Sequence, residues 1–159
     1  MPQTAGGVIT ADFLDKLDRP PLAVLAQTSV QSIPNATWGV ITFDSEIIDS
    51  YSGHSTVSNT SRYTCQVAGT YRITGRVSFA VNGSGSRGAR VHKNGNFLIG
   101  GANLLGAGTL NGVIEVSHIL TLAVSDYVEI AGGHNSGGAL STFYGAECGS
   151  MMYVERISS

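Results

Sequence analysis

Charge is what this sequence has least of. Only 13% of its 159 residues are charged, about half the usual quarter of a soluble domain, so surface polarity must come from Ser, Thr, Asn and the 21 glycines. That balance suits a β-protein. Lys and Arg number 9 against 11 Asp and Glu, a net charge of -2, and no stretch gathers bases into a stripe that could neutralise several phosphates. Nucleic-acid binding is therefore not expected. No run of about eighteen apolar residues occurs, so no spanning helix and no membrane partner are expected.

Cysteine is equally scarce. Cys65 and Cys148 are the only thiols, too few for a disulfide framework, and read as buried reduced residues, with pairing as the alternative. A chain of this length buries roughly two thirds of its unfolded surface, so it needs neither bridge nor metal to fold. His54, His92, His118 and His134 are scattered, without the short spacings of a metal site. No nucleophile elbow or His-Glu-x-x-His stands in the chain, and Gly83-Ser-Gly-Ser-Arg-Gly lies between strands rather than before a helix. An enzyme is not expected, nor a cofactor. Asp44, Glu46 and Asp49 read as a solvated acidic loop, with a calcium site as the alternative. The first twenty residues lack the basic run, apolar core and small-residue cleavage site of a secretory leader. The triplets at Asn35, Asn59 and Asn82 then read as loop chemistry.

What the chain does have is alternation. In residues 69–81, Tyr71, Ile73, Val77, Phe79 and Val81 alternate with Thr70, Arg72, Thr74, Arg76 and Ser78, and only Gly75 breaks the apolar row. A period of two puts successive side chains on opposite faces of a half-buried strand. The apolar row is expected inward, with a bulge or a close sheet-to-sheet approach at Gly75. Further strands are expected at 22–31, 37–44, 61–67, 87–93, 96–99, 112–122, 126–131, 142–145 and 150–157. Turn-formers separate them: Ile33-Pro34-Asn35, residues 82–85, residues 93–96 and the Gly-rich stretch 132–138. Asn94-Gly95 is the strongest hairpin signal, because a type I′ turn needs positive φ at both central residues. Many short strands with almost no helix mean an all-β sandwich or jelly roll. In the last strand Met152 and Val154 share one side and Met151, Tyr153 and Ile157 the other, a pattern of half core and half interface.

One helix is expected, before the strands. Thr10 suits an N-cap, Asp12 the first turn and Lys16 the last, with Arg19-Pro20-Pro21 as the stop. So short a helix must dock on something. Phe13, Leu14 and Leu17 on one side either pack on the chain's own domain or, with Val8 and Ile9, make an attachment arm. The expected division is an arm at 1–20 and a jelly-roll domain at 21–159.

Several of these segments resemble a known family. Tyr63-Thr-Cys-Gln-Val-Ala-Gly-Thr-Tyr-Arg-Ile is similar to the "pG.Y.f" strand pair of the jelly-roll superfamily that includes tumour necrosis factor and the globular heads of complement one-q. Arg90-Val-His-Lys-Asn-Gly-Asn-Phe-Leu-Ile resembles its "kNG" hairpin. Leu120-Thr-Leu-Ala-Val-Ser-Asp-Tyr-Val-Glu-Ile resembles its "L..GD.V" pair, with Ser125 in place of the usual Gly, and Thr142-Phe-Tyr-Gly-Ala its closing segment. The resemblance implies a ten-strand jelly roll assembling as a homotrimer, with Tyr127, Phe143 and Tyr153 on the subunit contact. Val8-Ile-Thr-Ala-Asp-Phe-Leu-Asp-Lys-Leu before Pro20-Pro21 is similar to the start of structural proteins of tailed bacteriophages. That likeness implies a virion protein assembled in bacterial cytoplasm, with phage capsid or tail proteins as partners.

Two functions follow as expectations. In one, the head is a capsid decoration or minor tail protein held by its arm. In the other, it binds host cell-surface glycan through His54, in Ser52-Gly-His-Ser-Thr, or through His134 and Asn135. Glycan sites favour an exposed aromatic, and the apolar run Trp-Gly-Val-Ile-Thr-Phe places the single Trp38 in the core instead, which favours the structural role.

Overall fold

A computed structural model describes residues 20–105, 110–145 and 147–158. Val8, Ile9, Phe13, Leu14 and Leu17, and the helix expected around them, lie outside the described residues. Thirteen strand segments occur among the described residues, ten of three residues or more and three of only two. One five-stranded sheet runs in the order β10 (Gly112–Leu122), β6 (Gly69–Phe79), β13 (Met151–Ser158), β1 (Leu22–Ala26) and β4 (Ser45–Asp49). The second runs β3 (Thr37–Val40), β11 (Tyr127–His134), β7 (Ser86–Lys93) and β8 (Asn96–Phe97), with β5 (Arg62–Thr64) on β11 and β9 (Ala102–Leu105) on β7. A two-stranded ribbon joins β2 (Ser32–Ile33) to β12 (Leu140–Ser141). Every pairing between named strands is antiparallel, and the non-consecutive neighbours give a jelly-roll sandwich.

The core lies where the alternation of β6 puts it. Tyr71, Ile73, Val77 and Phe79 are fully buried, and Met152 and Val154 of β13 join them. Gly75 sits in this inward row because the opposite sheet leaves no room there: a Cβ would stand 2.4 Å from Ile130 Cδ1. Gly132 answers from the other side, where a Cβ would come within 2.8 Å of Val77 Cγ1. These two glycines let the sheets close on each other, an approach that any side chain would block.

Several expectations are corrected. Val81 is 48% exposed, because β6 ends at Phe79 and the Ala80 N–H already turns to Ser141 O at 3.0 Å. Gly132, Gly133 and His134 extend β11 rather than opening a turn, paired with β3 and β7, and Val77 and Trp38 fill the space that side chains on the two glycines would take. Residues 45–49 form edge strand β4 rather than a solvated loop. Of its acidic trio, Asp44 Oδ1 accepts the Thr28 N–H and Asp49 accepts the N–H groups of Gly53 and His54. Strand β9 had no counterpart among the expected segments.

The turns follow their residues. Asn94 and Gly95 take φ of 50° and 79° and pair Lys93 with Asn96 across the hairpin. Ser125 holds φ at 73°, the left-handed conformation that glycine adopts most easily. Arg87, only 1% exposed, closes one end of the sandwich by donating to the carbonyls of Ser84 and Asn82. Cys65 and Cys148 are both free thiols, and only Cys65 is buried.

Asp126 ties two turns together. Its Oδ1 accepts from Asn94 Nδ2 at 2.8 Å, and its Oδ2 accepts from Ala123 N at 2.9 Å and pairs with Lys93 Nζ at 2.9 Å. The Asn94 bond, then the Ala123 and Lys93 contacts, hold this carboxyl down to about 2 from its ordinary 3.8. A depressed carboxyl stabilises the fold fully above its unfolded value, and that contribution fades as pH falls toward the folded one. Asp126→Asn should therefore unfold more easily than the parent in urea at pH 5, and the two curves should converge near pH 2. Gly75→Ala should cost roughly 1–3 kcal/mol by overpacking, measured as a lower urea midpoint at unchanged slope.

Candidate functional site

The outer face of the second sheet carries the most distinctive surface. Gly88 of β7 and Gly133 of β11 are cross-strand partners, and Gly133 also pairs with Trp38 of β3. With no side chain on either glycine, the indole lies across both strands: a Cβ at Gly133 would meet Trp38 ring atoms at 2.6–2.9 Å, and one at Gly88 would meet Cη2 at 2.5 Å. Trp38 is 39% exposed, which corrects the expectation of a core tryptophan. The reason is parity. Ile41 and Phe43 point inward and are fully buried, so Trp38 and Val40, an odd number of residues from Ile41, point out.

Arg90, one step along β7, stacks its guanidinium over the Trp38 ring at 3.3 Å from the centroid, with Phe97 on its other flank at 5.2 Å. Such cation–π contacts hold both partners in place. Beside them is a depression of about 180 Å³, lined among others by Trp38, Gly88, Gly133, Asn103 and Asn135. Asn103 leans over Gly88, its Oδ1 lying 2.6 Å from where a Cβ would be. Asn135 Oδ1 accepts from the N–H of Ser86 at 2.6 Å and from its hydroxyl at 3.2 Å.

Further along the same face, Glu129 is buried and accepts from Ser61 Oγ at 2.7 Å and Arg62 Nε at 3.2 Å. The Arg62 guanidinium lies 4.0 Å over the Tyr127 ring. His92 pairs with Glu129 across the strands, and burial lowers its imidazole despite Glu129, with Arg90 adding to the effect.

The structure separates the other candidate residues. His54 Nδ1 lies 2.7 Å from Arg62 O and Nε2 3.1 Å from Phe43 O, so its ring ties two segments together beside a polar hollow of about 260 Å³. His134 is likewise engaged, by Ile33 O at 2.8 Å and Ser136 Oγ at 3.0 Å. Of the ligand candidates, His134 and Asn135 lie together beside the Trp38 depression, whereas His54 lies in the other hollow. Tyr127, Phe143 and Tyr153 do not share a face. Tyr127 is on the second sheet, Tyr153 is on the five-stranded sheet, and Phe143 lines a hollow with Asn111, Glu147 and Cys148. Among the described residues, no three His, Cys, Asp or Glu side chains gather in a metal-holding group.

No protein-family model matches the chain, and no curated protein matches it in sequence. Solved structures do match in fold. The globular domain of zebrafish complement 1qA aligns with a TM-score of 0.61 at 15% identity, covering 86% of this chain and 97% of that one. Murine APRIL aligns with a TM-score of 0.64 at 11% identity, covering 85% and 98%. Eiger TNF from S. frugiperda aligns with a TM-score of 0.59 at 13% identity, covering 87% and 95%. The chain has the jelly-roll fold of the complement one-q and tumour necrosis factor domains.

Gly133→Ala tests the seat of the tryptophan. Because Trp38 is the only one in the chain, intrinsic fluorescence reports on it alone. Displacing the ring from its glycine floor should red-shift the emission and raise acrylamide quenching, with far-ultraviolet circular dichroism unchanged.

Proposed function

We propose that this chain is a non-enzymatic virion structural protein of a bacteriophage, displayed on the particle as a homotrimeric jelly roll and anchored by residues 1–20. The observation that carries the trimer is the free face of the five-stranded sheet. Across β4, β1 and β13 it carries the row Ile48, Val24, Tyr153, with Leu22 and Ile48 exposed and Val24, Met151 and Tyr153 half-buried. Apolar side chains of this size gain about 1.5–3 kcal/mol each when fully buried, and a second layer already covers the opposite side of the sheet. Copies of the same chain meeting on this row would complete the burial that one copy leaves unfinished. The arm rests on the Val8–Leu17 likeness, with capsid or tail proteins of the particle as its partners and the virion, assembled in bacterial cytoplasm, as its location.

Light scattering of the purified chain should give three times the subunit mass. Val24→Glu with Tyr153→Glu should give a folded monomer with unchanged circular dichroism. A monomeric parent at micromolar concentration overturns the reading. Removing residues 2–19 should leave the trimer intact and abolish incorporation into particles.

A second reading, recognition of host-envelope glycan, is favoured by the surface position of Trp38. It uses the second sheet, the trimer contact uses the first, and one molecule can do both.

A further inference from the structure

We infer that the depression between Trp38, Asn103 and Asn135 is a binding site for one neutral pyranose residue of a glycan. The assignment rests on the recognition reading above and names its site and ligand class.

The first argument is shape. Trp38 lies across the two facing glycines, and the edge of its ring borders the depression, with Asn103 leaning in over Gly88. About 180 Å³ holds a compact ring and little more, whereas drug-sized ligands need roughly 300 Å³ or more. An extended peptide adding as a strand is disfavoured, because β11 at the floor is paired on both sides, with β3 and with β7.

The second argument is the hydrogen-bonding inventory. The Asn103 amide, the Nδ2 of Asn135 and the Trp38 indole N–H make no hydrogen bond to other described residues. An Asn amide offers both donors and acceptors, which is what vicinal hydroxyls require. The lining holds no Asp, Glu, Lys or Arg, so a charged ligand would be desolvated there without a counter-charge, whereas a neutral polyol would not. With one face on the glycines and the other under Arg90, the indole offers the ligand its exposed edge, an apolar border carrying one N–H donor.

The third argument is rigidity. Trp38 is held by the glycine floor and by Arg90, and Asn135 is fixed through Ser86. A site whose walls are already in place pays less ordering entropy when a ligand binds.

Full-length protein is titrated with the methyl glycosides of glucose, galactose, mannose and N-acetylglucosamine while Trp38 emission is followed. At least one should give a saturable change with a dissociation constant of roughly millimolar order, the scale for so small a ligand. Asn103→Ala should weaken that binding by about tenfold with unchanged circular dichroism. Glucuronate should bind more weakly than glucose. The assignment is overturned if no glycoside gives saturation, if Asn103→Ala binds as the parent does, or if glucuronate is preferred. Sedimentation with isolated bacterial envelopes separates the two levels. If parent and Asn103→Ala sediment equally without an emission change, the recognition reading stands and this site falls. If neither envelopes nor sugars bind, both fall.

Discussion

Everything in this molecule depends on how closely two sheets can approach. Gly75 of β6 and Ile130 of β11 face each other across the sandwich, and Val77 and Gly132 do so two residues further along the same strands. Because interiors pack at near-crystalline density, a methyl group at either glycine would have to displace a neighbour or part the layers. The buried row of Tyr71, Ile73, Val77 and Phe79 closes against the second sheet only because those two positions are empty. Pairing with Val91 and Ala89 of β7 holds Ile130 and Gly132 in line.

The same device recurs on the outside. Gly88 and Gly133 leave a bare patch on the outer face, and Trp38 lies down in it. Inside the sandwich the missing side chains let a second layer approach; outside they seat one aromatic ring and leave a hollow beside it. Arg90 completes the arrangement by covering the indole. A tryptophan that would otherwise be a mobile exposed ring becomes a fixed wall.

The free faces of the two sheets differ in character. The free face of the first carries an apolar row from Ile48 on the edge strand through Val24 to Tyr153, beyond which Thr74 and Ser117 are polar. The free face of the second mixes stacked aromatics and cations with unpaired amides, and suits small polar ligands. Two histidines, His54 in the loop before β5 and His134 at the end of β11, turn inward to bind backbone carbonyls. They act as cross-ties between loops and strands, which explains why they are buried despite their polarity.

The sequence by itself determined whatever depends on near neighbours in the chain. The all-β class, the inward row of β6, the core side of β13 and the Asn94-Gly95 hairpin follow from a period of two and from turn residues, both local properties. Gly75 was legible as a bulge or a close approach because it interrupts an apolar row, and the structure makes it the close approach. The parity that turns Trp38 outward was also present, counted in twos from Ile41 and Phe43, but an unbroken apolar run hides it. Only the tertiary structure decided that Gly88 lies beside Gly133, that Trp38 spans them, that residues 45–49 make an edge strand on β1, and that Tyr127 and Tyr153 lie on different sheets. Those facts depend on which distant strands pair, and antiparallel registers between segments tens of residues apart leave no mark in local spacing.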